Sequence, residues 1–357
     1  MIMEDAKHTI DVVRFFLERE PAAPFSFYIT LYRHVEDYQQ ADRLSQIMEM
    51  LVDESMRWKK ASFDIDAQGL SLLARTKDHL PLLQRLYLSQ SSNEGFPDLL
   101  YNIFQNAPSL YSVHIGNLAN WKFNWSNLKN LNMRSLPGSR ASEFIAALPQ
   151  MTKLEHLKFD CEYSDAIPSS TVVLPSLAKL SCRPGWLRFM QAPAMKNLEI
   201  DYNNDATSDS PDIVLSFLHR SCSALKLLRL SISSAQASTV VEIIRHTPRL
   251  TYLSLSDIAN PGDVFEQLII PIDPAQEPLV PHLQALSFCD EFICDYDMNL
   301  LFYLISSRSD ESATGNCDHG RLQKLEMLVG DMDSVSFVTK VDLIALCEER
   351  GIQYVEE

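Results

Sequence analysis

The sequence predicts an α/β solenoid, with a parallel sheet along one side and helices along the other. Three observations predict it: a six-residue apolar pattern that recurs ten times, helical periodicity in the segments between, and a mean repeat length that falls in the range of a known solenoid class although single steps vary. The pattern is apolar, two variable residues, apolar, one variable residue, apolar. It opens with Leu83-x-x-Leu86-x-Leu88 and continues at Leu110, Leu128, Leu154, Leu177, Met195, Leu225, Leu250, Leu283 and Leu322. Each hexamer ends in alternating apolar residues, the period of a strand with one buried face. Proline often stands two residues before its first position, as at Pro108, Pro175, Pro193, Pro248 and Pro281.

The first apolar positions advance by (322 − 83)/9, about 27 residues, within the ~20–29 residue period of leucine-rich repeats. The expected fold is therefore an irregular leucine-rich-repeat solenoid of about ten repeats, with a parallel concave sheet and convex helices. Helical spacing marks Phe96–Asn106, Ser139–Leu148, Ser210–Cys222, Ala235–His246, Gly262–Ile270 and Asp295–Ser307. Ser210, Pro211 and Asp212 have the residues of a capped helix start. The short steps ending at Leu128 and Met195 leave room for only a turn or a 3₁₀ segment. The long step to Leu322 predicts an exposed polar loop over Ser307–Gly320. The Asn or Cys that regular repeats place three residues past the last apolar position is met only at Asn203.

Residues 1–66 depart from the pattern and read as an N-terminal mixed helical cap ahead of the repeats at 67–357. Asp11–Glu20 and Ala41–Trp58 have helical spacing, while Phe25–Leu31 and Ala61–Asp66 are strand candidates. The phrases Phe15-Phe16-Leu17-Glu18-Arg19-Glu20, Pro24-Phe25-Ser26-Phe27 and Ser55-Met56-Arg57-Trp58 resemble a stretch found in fungal F-box proteins with degenerate leucine-rich repeats. Leu174-Pro175-Ser176-Leu177 and Ala192 to Ile200 are similar to later phrases of that family. The resemblance implies that the repeats select a substrate while an F-box upstream grips the adaptor of a cullin-type ubiquitin ligase. The F-box itself is not in the sequence. A stand-alone scaffold or inhibitor-like binder with no ubiquitin link is the alternative reading, and an unrecognised hydrolase a remote one.

The 47 acidic residues exceed the 31 basic ones by 16, so nucleic acid and anionic membrane are poor partners for the chain as a whole. No window is apolar and long enough to cross a bilayer. Seven cysteines without a framework or a Cys-x-x-Cys pair suit a reducing compartment, cytoplasmic or nuclear.

Strand positions that flank the inward leucines point to the concave face. The central row is Tyr87, His114, Asn132, Lys158, Ser181, Glu199, Arg229, Ser254, Ser287 and Glu326. Within the rows, Asn130, Asn132, Arg134, His156, Lys158, Lys179 and Arg183 form a cluster more basic than the acidic whole. They are the candidate protein-binding residues, suited to an acidic or phosphorylated peptide. Trp121, Phe123 and Trp125 read as core aromatics rather than an exposed anchor. Cys289, Cys294 and His282 lack a second matched pair for zinc, and Cys317, Asp318 and His319 are adjacent residues without catalytic geometry. No catalytic motif occurs, so the chain is expected to be no enzyme, to take no cofactor or metal, and to act as a monomer on a protein partner.

Overall fold

Parallel strands in register, one per repeat, organise the structure, a computed structural model that describes residues 6–30, 38–65, 71–90, 101–117, 121–135, 141–160, 171–201, 211–221, 224–231, 237–258, 260–271, 273, 276–290, 295–309, 321–329 and 337–356. The chain divides into two compact units, Met1–Pro168 and Ser169–Glu357. Each is a leucine-rich-repeat solenoid.

In the first unit α1 (Ala6–Arg19), β1 (Phe25–Thr30), α2 (Tyr38–Asp53) and β2 (Trp58–Ile65) lead into β3 (Arg85–Gln90), β4 (Ser112–Asn117) and β5 (Asn130–Ser135). A short helix, α3 (Ala141–Ala147), then precedes β6 (His156–Phe159). The six strands pair in chain order, all parallel. Register places Ala61, Leu86, Val113, Leu131 and Leu157 in one buried row, and Phe63, Leu88, Ile115, Met133 and Phe159 in the next. Sheet pairing thus includes β1 and β2, within the segment read as a cap. Trp58-x-x-Ala61-x-Phe63 has the hexamer spacing with aromatic and small residues in place of leucine.

The second unit carries β8 (Lys179–Cys182), β10 (Asn197–Asp201), β11 (Leu227–Ser231), β12 (Tyr252–Ser256), β13 (Ala285–Asp290), β14 (Lys324–Val329) and β15 (Gln353–Glu356), again parallel. The strands β7 (Val172–Val173) and β9 (Met190–Gln191) form a separate parallel pair. The helices are α4 (Pro211–Ser221), α5 (Ala237–Arg245), α6 (Pro261–Leu268), α7 (Asp295–Ser309) and α8 (Phe337–Glu349). Leu180, Leu198, Leu228, Leu253, Leu286 and Leu325 make one buried row in register. Helices close the buried side: Phe144 of α3 meets Phe159 at 5.7 Å, and Phe265 of α6 meets Phe288 at 5.1 Å. Burying each such side chain stabilises the fold by about 1.5–3 kcal/mol.

One hydrogen-bond motif joins successive repeats. The carbonyl just ahead of a strand accepts two consecutive N–H groups from the next repeat. Lys226 O accepts from Thr251 N at 2.9 Å and Tyr252 N at 3.1 Å, and Thr251 O accepts from Gln284 N at 2.9 Å and Ala285 N at 3.0 Å. In the first unit Lys129 O likewise accepts from Glu155 N and His156 N. Arginines add a second link. Arg57 donates to Leu17 O, Glu20 O and Ala23 O at the end of α1. Arg220 donates to Leu187 O, Arg188 O and Met190 O. Arg308, wholly buried, donates to Leu268 O, Leu279 O and Val280 O at 2.7–3.1 Å. Burial lowers its pKa to about 10, and it remains charged at neutral pH. The start of α6 is met by the next repeat: the Asp297 carboxylate accepts from Gly262 N at 3.0 Å. A Cβ at Gly262 would lie 2.3 Å from that oxygen, so the approach requires glycine.

Several expectations need correction. Residues 101–106 are turns rather than the end of a helix, closed by Gln105 N to Asn102 O and Ala107 N to Phe104 O. Their periodic apolar residues, Tyr101, Ile103 and Phe104, are buried as an irregular plug. Residues 96–100 lie outside the described residues. The helix expected over Ala41–Trp58 ends at Asp53, because Ser55–Arg57 tighten into a 3₁₀ turn and Trp58 opens β2. The two short steps do hold 3₁₀ segments, Trp125–Asn127 and Pro184–Phe189. Trp121 and Phe123 are buried. The helix α7 continues to Ser309, and the rest of the predicted polar loop lies outside the described residues, as do Ser210, Asn203, Cys294, Cys317, Asp318 and His319. The closing pair α8 and β15 has no hexamer, and its spacing did not predict it.

Candidate functional site

Strand alternation leaves a second set of side chains facing away from the core. In the first unit this open face has a central row, in register, of Tyr28, Ser62, Tyr87, His114, Asn132 and Lys158. Beside it run Ser26, Lys60, Arg85, Ser112, Asn130 and His156. Of the seven residues singled out in the sequence, the structure brings Asn130, Asn132, Arg134, His156 and Lys158 together on β5 and β6. Lys179 on β8 and Arg183 just after it belong to the second unit.

His114 is the centre of the first unit's face. Its ring lies against Tyr87, centroids 4.3 Å apart and planes 37° apart. Its Nε2 is buried without a hydrogen-bond partner, a state that costs about 1–3 kcal/mol. Burial lowers its pKa below 6.5, and the nearby charges of Arg134 and Lys158 lower it further. The ring is therefore neutral at pH 7. Arg134 and Lys158 are exposed and form no ion pair among the described residues. Arg85 is otherwise engaged: its Nε donates to the Tyr111 hydroxyl at 3.1 Å, and its guanidinium stands 5.8 Å from that ring. Lys129 and Glu155, at the start of β5 and β6, pair with each other at 2.9 Å.

Sequence reasoning placed His114 and Tyr87 in the central row without assigning them to the site. The signal was available, since His114 and Tyr87 stand two and three strands before Lys158 in the same row. Lys60, Ser62 and Tyr28 were missed because their strands lack leucine at the hexamer positions.

The open face of the second unit is arranged differently. Its central row is Ser181, Glu199, Arg229, Ser254, Ser287 and Glu326. Tyr252 crosses it, donating its hydroxyl to Glu326 Oε2 at 2.8 Å and accepting from Arg229 at 3.4 Å. Arg229 also stands 5.5 Å over the Tyr252 ring, and Lys324 pairs with Glu326. These partners hold the Glu326 carboxyl below its ordinary range, Lys324 most, with Tyr252 and Ser287 adding to it against the opposing effect of burial.

The titratable groups displaced furthest from neutrality are interior ones. Burial pushes the Cys347 thiol up to about 11 and, with Glu356 and Cys347 nearby, the Tyr354 phenol up to about 12. Both stay protonated at neutral pH, the unreactive form for a nucleophile. Among the described residues no group of three or more His, Cys, Asp or Glu is placed to hold a metal ion, and no helix is long and apolar enough to cross a membrane.

No protein-family model and no curated protein matches the chain. Among solved structures it is similar to one described as "Crystal structure of Rad7 and Elc1 complex in yeast", with a TM-score of 0.45 and 12% sequence identity over 98% of this chain and 88% of that chain. The chain's own strand register, two buried rows per sheet with helices behind, is that of a leucine-rich-repeat solenoid.

Proposed function

We propose that this chain is a non-catalytic protein-recognition module whose open strand face in the first unit docks an acidic segment of a protein partner. The observation that carries the reading is the pair of unpartnered cations, Arg134 and Lys158, beside His114 in a chain of net charge −16. Exposed, unpaired cations on a rigid sheet cost little to redirect toward a ligand, and charge complementarity sets partner choice and association rate. In the finer reading the partner is a substrate and the chain is the substrate-recognition part of an F-box-type ubiquitin ligase, working in the cytoplasm or nucleus as a monomer. Sequence phrases support that finer reading, and one of them has a structural role here: Arg57, of Ser55-Met56-Arg57-Trp58, ties the end of α1 to β2.

The test is quantitative capture from the native cell with three forms of the chain: wild type, Arg134→Glu/Lys158→Glu, and a helix-side control, Glu242→Lys on α5. Recognition by this face predicts a protein retained by wild type and control and lost from the double variant. Equal recovery by all three forms would reject it. A cullin adaptor recovered alongside would support the ligase reading, and its absence from a capture that retains the partner would favour the stand-alone binder.

A further inference from the structure

We propose that Arg134 and Lys158, flanking the partly buried His114 ring, form a subsite for a phosphate monoester carried on a phosphorylated side chain of the partner. The proposal rests on the recognition reading above and gives its face a specific ligand chemistry.

Three features of the geometry converge. Buried ring nitrogens are normally hydrogen-bonded, yet His114 Nε2 has no partner, while Tyr87 fixes the plane of the ring. Strands spaced by about 5 Å set His114, Asn132 and Lys158 side by side on β4, β5 and β6. Arg134 follows Asn132 by two residues on the same face, and both cations are exposed and without ion pairs among the described residues. A phosphate monoester brings about −1.5 to −2 charges and three acceptor oxygens at neutral pH. It can bridge the Arg134 fork and the Lys158 ammonium together, while the His114 ring, whose Nε2 is buried, senses its charge through the field of the same two cations. A carboxylate, with two oxygens and one charge, is matched by the Arg134 fork alone.

Binding is coupled to a proton. In the free protein burial, then Arg134 and Lys158, hold His114 neutral at pH 7. A dianion seated between the cations cancels their field, and the imidazole protonates more readily with the phosphate in place. Tyr87 packs on the ring, and the other titratable residues of the flanking strands are Arg85 on β3 and His156 on β6, with Asp160 just after β6. Binding therefore tightens as pH falls toward the second pKa of the phosphate, about 6, and weakens below it as the monoester loses charge.

The experiment follows the His114 ring by NMR in the full chain labelled at histidine, titrating pH with and without inorganic phosphate at constant ionic strength. Phosphate is expected to bring the His114 pKa up toward 6.5, and Arg134→Gln/Lys158→Gln to abolish the rise. A Gly-phosphoserine-Gly peptide should bind about tenfold tighter than Gly-Ser-Gly or a phosphodiester dinucleotide. His114→Gln should keep part of the binding and lose its tightening as pH falls toward about 6, while the weakening below the phosphate's own pKa remains. A His114 resonance indifferent to phosphate, a rise that survives in the double variant, or equal binding of monoester and diester overturns the subsite. Matching urea midpoints establish that the exposed-site variants are folded. Partner capture that depends on Lys158 while phosphate leaves His114 unmoved rejects the subsite alone; phosphate that moves His114 while capture ignores the face rejects the recognition reading alone.

Discussion

The open faces of the two units are built on the same strand register and differ in whether their charges already have partners. In the second unit Tyr252, Glu326, Lys324 and Arg229 satisfy one another across the sheet. In the first, Arg134 and Lys158 stand unpaired beside a ring nitrogen that also lacks a partner. A ligand on the second face would first have to displace internal hydrogen bonds; on the first it would meet cations that are not yet paired. The comparison teaches that the fold makes the rows and the residues in them decide which face is free to bind.

The sharpest way to probe the internally satisfied unit is through Arg308. Replacing it by Met leaves two buried carbonyls and a part-buried one without their donor, a loss of about 3 kcal/mol or more. Urea unfolding should show this loss while the His114 resonance stays in place, since Arg308 belongs to the other unit. A loss under about 0.5 kcal/mol, the scale of an ordinary surface change, would mean that the clamp holds little.

A smaller effect is expected on the second face itself. Tyr252→Phe removes one hydroxyl from the network and should cost about 1 kcal/mol. The Glu326 carboxyl is depressed below 4.5 by its partners, so its stabilisation is present above that value and is lost as pH falls through the depressed pKa. Acid titration of stability should therefore flatten in Tyr252→Phe, and an unchanged acid limb would argue that Lys324 alone fixes Glu326.

The smallest change is predicted on the first face. Arg134→Gln and Lys158→Gln should each alter stability by less than about 0.5 kcal/mol, as expected of exposed side chains without ion pairs. A larger loss in either would show that the cation has a structural partner and would erase the contrast between the faces.

The repeat was legible because leucine spacing reports burial directly: every hexamer from Leu83 to Leu322 ends in a strand whose inward residues are buried. Its extension to β1 and β2 was hidden, since Phe27, Ala61 and Phe63 fill the same rows without leucine. The false helix at 101–106 shows the converse, an apolar periodicity used to fill a turn. The polar rows could be written from strand alternation alone, and they placed the cations. Which cations are already paired could not, because pairing such as Tyr252 with Glu326 joins residues 74 apart through geometry that no local pattern encodes.

The pKa of His114 in the free protein reads the potential of the first face most directly, because the ring sits among the cations said to be unpaired. The account predicts a value below 6.5 that moves upward in Arg134→Gln and again in Arg134→Gln/Lys158→Gln. A value at or above 6.5 that ignores both substitutions would contradict it.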